Sequence, residues 1–231
     1  LSYNPALDKT LLYKAYGYAA KAHEGQTRKD GSPYITHPLA VANIVADLKL
    51  DTDALCAALL HDCIEDTKST HEDISREFSP TIADLVEGVT KLTRINYVSM
   101  EEKQMENLRK MLMAMSKDIR VILVKLCDRL HNMRTMQYQT PEKQREKSRE
   151  TLEIYAPIAH RLGMQRIKWE LEDLSLKYLD PIGYQEIEDA LAKQEQRNKE
   201  FMVATKVHIQ HRLEEERIHC TITSPIKHIY S

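Results

Sequence analysis

Residues 54–67 read "ALCAALLHDCIEDT", an apolar run that ends in one histidine and three carboxylates. The run predicts a helix, and the polar residues are expected to form its last turn. Neighbours on a helix lie about 100° apart, and residues three or four apart share a face. His61 and Asp62 can therefore reach one point beside the helix, with Glu65 and Asp66 one turn away.

So many acids close together point to a bound cation. Unpaired carboxylates repel one another, and a divalent cation at His61 and Asp62 would remove that repulsion and hold a water that the next turn could orient. The alternative is a surface acid cluster at a helix end. Acids at a helix C-terminus oppose the macrodipole, so this placement costs stability and favours a functional role.

The composition favours an all-α chain. The 231 residues include only six Gly and two Phe, whereas Leu, Ala, Glu, Lys and Met are abundant. This length corresponds to one large domain or one domain plus a fragment. The formal net charge of -2 gives no overall basic field, so wholesale binding of nucleic acid is not implied.

The cysteines and the hydropathy bear on the compartment. The four Cys residues form no CxxC pair, which favours a reduced, cytoplasmic setting in which they are small buried spacers. No apolar run of about 18 residues and no signal peptide are present, so neither secretion nor a membrane span is indicated. Both ends of the chain look cut, which suggests a fragment of a longer protein.

Apolar spacing and caps predict a series of helices separated by short loops, with a Gly- and Pro-containing loop over 25–34. Thr36 or His37 is expected near the cap of the second helix, and Ser99 with Glu102 forms a capping box. Helices are expected over 8–22, from Thr36 to about Leu48, from Asp51 or Thr52 to the opening stretch, from Ser79-Pro80, over 100–115, over 118–135, from Thr140 to a kink or end near Pro157, over 164–179 and over 184–217.

Only residues 218–223, "IHCTIT", alternate like a strand. The change from helix to strand predicts a boundary near 200–217. We therefore divide the chain into a domain over 1–195 and a linker helix with the start of a second domain over 196–231.

A hydrolytic metal needs more ligands than His61 and Asp62. His37 lies in "YITHP" at a predicted helix start, and Asp128 lies in "LCDRLHN". Alone, His37 fits a helix cap and Asp128 fits a partner for Arg129 or Lys125. Together with His61 and Asp62 they give the order H…HD…D.

That pattern resembles the HD-domain metal phosphohydrolases. More narrowly, the chain resembles the N-terminal hydrolase domain of the bifunctional Rel/SpoT stringent-response enzymes over about residues 10–200. The segments that carry the resemblance are "AHEGQTRKDGSPYITHP", "ALLHDCIEDT", "DIRVILVKLCDRLHNMRT" and "ETLEIYAPIAHRLGM". The final "KHIYS" resembles the first motif of the synthetase domain that follows in that family.

The resemblance implies an all-α, HD-domain helical bundle of about ten helices, with a short C-terminal segment leading to a missing α/β synthetase domain. It implies Mn²⁺ as the cofactor and Glu65 and Asp66 as the catalytic pair that orients water and handles its proton. The implied metal ligands are His37, His61, Asp62 and Asp128. The implied substrate contacts are Arg28, Lys29, Tyr34, Asn132 and Thr135.

The implied reaction removes the 3′-pyrophosphate of guanosine 3′,5′-bis(diphosphate), or of its 5′-triphosphate analogue, in the cytoplasm. The implied partners are this guanine nucleotide and the downstream synthetase and regulatory domains of the same chain, with a ribosome reachable only through the missing C-terminal domains and with no membrane. Two alternatives are another HD-family nucleotide phosphohydrolase and a non-catalytic module that senses the alarmone.

The basic run of Lys143, Arg145, Lys147 and Arg149 alternates with acids and is interpreted as a solvated face.

Overall fold

The computed structural model describes residues 4–93, 117–215 and 229, and within these ranges the fold is a bundle of eleven α-helices without a β-strand. The prediction of an all-α chain with about ten helices is confirmed. The helices are α1 (Lys9–Ala22), α2 (Thr36–Asp47), α3 (Thr52–Leu60), α4 (Cys63–Asp66), α5 (His71–Glu77), α6 (Pro80–Thr93), α7 (Ile119–Arg134), α8 (Pro141–Glu150), α9 (Ala156–Arg161), α10 (Gln165–Leu179) and α11 (Pro181–Glu215).

Helix α3 lies at the centre of the bundle. Every residue from Ala54 to Leu60 is buried, and the helix packs against α1, α2, α6 and α7. A helix that is apolar on all sides is stable only when neighbours cover all of them. Asp51 caps its start, with Oδ1 accepting from the Ala54 N–H at 3.0 Å. The far end of α3, where His61 follows, therefore lies inside the protein.

The expectation that "HDCIEDT" is the last turn of α3 is wrong. Helix α3 ends at Leu60, His61 is its C-cap, and a separate one-turn helix, α4, begins after Asp62. The Asp66 N–H then donates to the Asp62 carbonyl at 2.8 Å. Because Glu65 and Asp66 belong to this single turn, they do not oppose the macrodipole of a long helix, and that argument for a stability cost does not apply.

Helix α2 begins at Thr36, next to its cap position, as the sequence predicted. Thr36 and His37 are the first two helical residues, Ile35 occupies the cap position, and among the described residues no side chain caps this end. The Thr36 hydroxyl donates instead to the Pro33 carbonyl at 2.8 Å. It thereby ties the helix to the preceding loop, in which Thr27 and Pro33 form an isolated antiparallel bridge.

The kink expected near Pro157 takes the form of a π-helical turn over Thr151–Tyr155, between α8 and α9. Proline has no N–H, and its ring clashes with the carbonyl four residues earlier, so the preceding turn widens. The turn places Tyr155 under Arg129, whose guanidinium carbon lies 4.1 Å from the ring centre.

The predicted helix over 100–115, with its capping box at Ser99 and Glu102, and the predicted strand over 218–223 lie outside the described residues. Helix α11 passes 195 without a break, and the domain boundary there stays a prediction. None of the helices in the described ranges is both long and apolar enough to cross a membrane.

Helices α6 and α7 approach closely at a glycine, which gives a prediction about stability. A Cβ added at Gly88 would lie 2.9 Å from a methyl group of Val121, whereas one at Gly17 in α1 would meet no described atom within 4 Å. Both changes to Ala gain helix propensity of about 1 kcal/mol, but Gly88→Ala adds an overpacking cost of about 1–3 kcal/mol.

We expect chemical denaturation to show that Gly17→Ala stabilises the protein and that Gly88→Ala is less stable than Gly17→Ala by at least about 1 kcal/mol. Equal unfolding free energies for the two variants would mean that α6 and α7 are not in close contact at this point.

Candidate metal centre

Four side chains from three helices and one turn converge inside the bundle. The His37 Nε2 atom lies 3.2 Å from Asp128 Oδ1 and 3.4 Å from Asp62 Oδ2. The His61 Nε2 atom lies 3.1 Å from the same Asp62 oxygen and 3.7 Å from the same Asp128 oxygen. The structure thus brings together all four residues that the sequence predicted as metal ligands.

The imidazole of His61 is held with one nitrogen facing this cluster. Its Nδ1–H donates to the Ala58 carbonyl at 2.8 Å, within its own helix. Its Nε2 is buried and finds no hydrogen-bond partner among the described residues. A neutral imidazole in this tautomer presents a lone pair at Nε2, which repels the carboxylate oxygens unless a proton or a cation lies between them.

The donor set fits a divalent cation. In the part of the chain that the structure describes, His37, His61 and Asp128 each offer one ligand atom, and these three atoms lie within 4.8 Å of one another. All three residues are buried. The Asp62 oxygen adds a fourth candidate at the distances given above. Two imidazoles with two carboxylates suit Mn, Fe, Zn and related metals, and this geometry alone does not choose among them.

The electrostatics show that the pocket attracts positive charge. Burial lowers the pKa of His61, but the charges of Asp62 and Asp128 outweigh burial and raise that pKa to about 10. Burial raises the pKa of Asp62, but His61 outweighs it, so the carboxyl stays below its ordinary value. Both aspartates are therefore ionised at neutral pH, and a cation would take the place of the proton on His61.

Asp128 is held by its own helix. Lys125 donates to Oδ2 at 2.7 Å, and Asn132 donates to Oδ1 at 2.6 Å. Burial raises the pKa of Asp128, but the Lys125 ammonium and the two histidines bring it well below its usual range. Oδ1 faces the histidines, so Lys125 and Asn132 fix which oxygen is available to a cation.

Tyr34 joins the cluster to the next turn. Its hydroxyl lies 2.8 Å from Asp62 Oδ2 and 3.0 Å from Asp66 Oδ2, so its single proton is shared between two carboxylates. Burial, followed by the charge of Asp62, raises the pKa of Tyr34 well above its ordinary value, so it remains a donor. Asp66 is thereby fixed beside a candidate ligand, a contact that the sequence did not reveal.

A cleft leads outward from the four ligands. Its inner part is a cavity of about 290 Å³ that includes Asp62, Glu65, Asp66 and Asp128 in its wall. Its outer part, of about 190 Å³, is lined by Arg28, Lys29, Tyr34, Asn132 and Thr135, the five predicted substrate contacts. Arg28 spans the two parts and donates to the Thr135 hydroxyl at 3.0 Å.

Sequence reasoning undervalued four basic residues of the inner wall: Lys125, Arg129, Lys143 and Lys147. Lys143 and Lys147 are four apart and share one face of α8, and both line the cavity, whereas Arg145 and Arg149 do not. Glu150 accepts from both Arg129 and Lys147 at 3.1 Å and holds these two cations side by side. The i, i+4 spacing was the available signal, but the alternating acids hid it.

Comparison with known proteins decides the family. The model of the family described as "HD domain" matches residues 15–165. This range contains all four candidate ligands and the carboxylate pair. The chain is a member of the HD-domain family. HD domains are metal-dependent phosphohydrolases, in agreement with the buried His and Asp cluster of this one.

The relatives of this HD domain lie among alarmone enzymes. It is 49% identical over 230 residues to the bifunctional (p)ppGpp synthase/hydrolase SpoT of Escherichia coli (strain K12), covering 100% of this chain and 33% of that protein. It is 50% identical over 220 residues to a GTP pyrophosphokinase of Streptomyces coelicolor, covering 95% and 26%. The resemblance to the Rel/SpoT N-terminal region is confirmed, and the chain spans about a quarter to a third of these curated relatives.

The fold is also similar to that of a solved structure, which is described as "A metazoan ortholog of SpoT hydrolyzes ppGpp and plays a role in starvation responses". The match has a TM-score of 0.52 and 27% sequence identity, and it covers 78% of this chain and 98% of that one.

The buried Lys125–Asp128 pair gives a prediction about stability. Removing one partner of a buried ion pair leaves an uncompensated charge and costs about 3–5 kcal/mol, whereas an exposed pair contributes about 1 kcal/mol or less. Lys91 and Glu87 in α6 form such an exposed pair at 2.7 Å, with Lys91 70% exposed.

In the presence of a chelator, Lys125→Met should lower the free energy of unfolding by at least about 3 kcal/mol, and Lys91→Met by less than about 1 kcal/mol. Urea denaturation followed by circular dichroism measures both. Losses of equal size would show that Asp128 does not depend on Lys125.

Proposed function

We propose that this HD domain hydrolyses the 3′-pyrophosphate of guanosine 3′,5′-bis(diphosphate) and of its 5′-triphosphate analogue, giving GDP or GTP and pyrophosphate. The observation that carries the proposal is the cleft. The three-residue cluster of His37, His61 and Asp128, joined by Asp62, and a carboxylate pair lie at its inner end, and basic side chains line its walls. The names of SpoT and of the metazoan ortholog that hydrolyses ppGpp support this substrate.

We propose Mn²⁺ as the cation that His37, His61, Asp62 and Asp128 hold. A divalent cation held by these residues would supply positive charge to a phosphoryl oxygen and would lower the pKa of a nearby water. The protein's own contribution is to keep both aspartates ionised and both Nε2 atoms directed at the same carboxylate oxygens.

Glu65 and Asp66 are the proposed catalytic pair. Asp66 shares the Tyr34 hydroxyl proton with Asp62, so its carboxylate lies next to the candidate centre, where it can orient the attacking water. Glu65 lines the same cavity and can accept the proton that this water gives up. A position near the metal but outside its ligand set leaves both carboxylates available for proton transfer.

The rest of the cleft fits a nucleotide with phosphates on two sides. Arg28 can stack on a purine and, with Lys29, Tyr34, Asn132 and Thr135, lines the outer part, where a nucleoside would lie. Lys143, Lys147 and Arg129 offer positive charge at the inner part, where the 3′-pyrophosphate would leave. The hydrolysed bond would then lie between the two parts, beside Asp66.

The proposal includes a cytoplasmic setting. Cys56, Cys63 and Cys127 are buried free thiols, as a reducing cytoplasm allows. A synthetase domain, regulatory domains and a ribosome contact would involve parts of longer relatives that this chain does not match.

The test is turnover with product identification. The purified chain with Mn²⁺ and the bis-diphosphate should give GDP and pyrophosphate in equal amounts by anion-exchange chromatography. Glu65→Gln and Asp66→Asn keep shape but remove charge, and each should retain bound Mn²⁺ and lose at least about a hundredfold in turnover. Glu72→Gln, which changes an exposed carboxylate on α5, is the control and should turn over normally.

The alternatives predict different results. Release of inorganic phosphate would indicate another HD-family nucleotide phosphohydrolase. Tight nucleotide binding without turnover in the presence of Mn²⁺ would indicate a sensing module. Normal turnover by both variants with metal bound would remove Glu65 and Asp66 from the mechanism.

A further inference from the structure

His131 lies directly behind His37, on the side away from the cluster. Its Nδ1 is 2.7 Å from the Nδ1 of His37, and the two ring centres are 4.8 Å apart. The other nitrogen of His37, Nε2, faces Asp128 Oδ1 at 3.2 Å. His37 is therefore held between a third histidine and the candidate metal centre, and it is only 2% exposed.

The short Nδ1–Nδ1 distance fixes where protons can be. One proton must lie between the two nitrogens, because two lone pairs at 2.7 Å would repel. To bind a cation, His37 must present a lone pair at Nε2, so its own proton is on Nδ1. His131 must then accept this proton's hydrogen bond through an unprotonated Nδ1 and carry its own proton on Nε2.

We propose that His131 is a positioning residue for the metal ligand His37: it accepts the Nδ1–H hydrogen bond that sets the tautomer and the ring orientation of that ligand. The inference rests on the metal site of the proposed function. It gives a role to a side chain outside the predicted ligand and substrate sets.

The second histidine ligand supports this interpretation by contrast. His61 donates its Nδ1–H to the Ala58 carbonyl, a main-chain acceptor that no substitution can remove. His37 is the second residue of α2, and its Nδ1 faces a side chain of another helix instead. Each histidine ligand thus has an acceptor behind it, and only that of His37 can be changed by mutation.

Helix α7 carries one candidate ligand and the two side chains that hold Asp128 and His37 in place. Asp128 is a candidate ligand, Asn132 holds its Oδ1, and His131 lies between them in sequence and reaches across to α2. One rigid helix therefore positions ligands from two elements, and outer contacts of this kind typically change metal affinity by 10–100-fold when they are lost.

Mn²⁺ affinity tests the role independently of turnover. In the whole chain, His131→Leu removes the acceptor, whereas His131→Asn keeps an acceptor oxygen near the position of Nδ1. His160→Leu, at an exposed site where Nδ1 faces Gln165 at 3.2 Å, is the matched control. Titration followed by electron paramagnetic resonance of free Mn²⁺ should show a loss of about 10–100-fold for His131→Leu. We expect His131→Asn and His160→Leu to stay within about threefold of the parent, well short of that loss.

A second measurement reads the tautomer directly and does not need a variant. Imidazole ¹⁵N spectra of the parent chain with Zn²⁺ bound should show His131 protonated on Nε2 and not on Nδ1. If circular dichroism shows that His131→Leu does not fold, the imidazole spectrum and the Mn²⁺ affinity of His131→Asn test the role of His131 instead. Protonation of His131 on Nδ1 in the bound state, or loss of affinity in His131→Asn equal to that in His131→Leu, overturns the proposal.

The outcomes separate this inference from the function on which it rests. A parent chain that binds no Mn²⁺ overturns the proposed function and this inference with it. A parent and a His131→Leu variant that bind Mn²⁺ equally well overturn only the role of His131.

Discussion

A carboxylate buried in the middle of a helix is the constraint on which this structure depends. Asp128 is only 5% exposed, and an isolated charge in such a place would be too costly to keep. Lys125 and Asn132 compensate it from its own helix, and the imidazoles of His37 and His61 face it from two other elements. These contacts set the relative positions of α2, α3 and α7.

The division of labour in the site follows from that constraint. Three candidate ligands lie on or at the end of packed helices, where side chains hold their geometry, and Asp62 lies in the turn between α3 and α4. The proposed catalytic pair lies on the one-turn helix α4. The proposed substrate contacts lie in the loop before α2 (Arg28, Lys29 and Tyr34) and at the end of α7 (Asn132 and Thr135). Tyr34 connects the ligands to α4, because its hydroxyl contacts both Asp62 and Asp66.

The sequence predicted the helices because apolar spacing is a local signal, whereas the H…HD…D ligand set followed from the resemblance to a known family. It did not predict the break at His61, since helix propensity continues smoothly into "HDCIEDT". It also did not place Lys143 and Lys147 in the cleft wall, because acids alternate with the basic residues along α8. The shared proton of Tyr34 and the Nδ1–Nδ1 contact of His131 join residues that are 28 to 94 positions apart, which no local pattern reports.

The central claim is that four buried side chains form one cation site, and crystallography tests it most directly. Crystals soaked in Mn²⁺ and measured at the Mn absorption edge should show one anomalous peak, about 2.0–2.4 Å from Nε2 of both histidines and from a carboxylate oxygen of Asp62 and of Asp128. A peak elsewhere in the cleft with this cluster empty, or no peak at saturating Mn²⁺, would contradict the account.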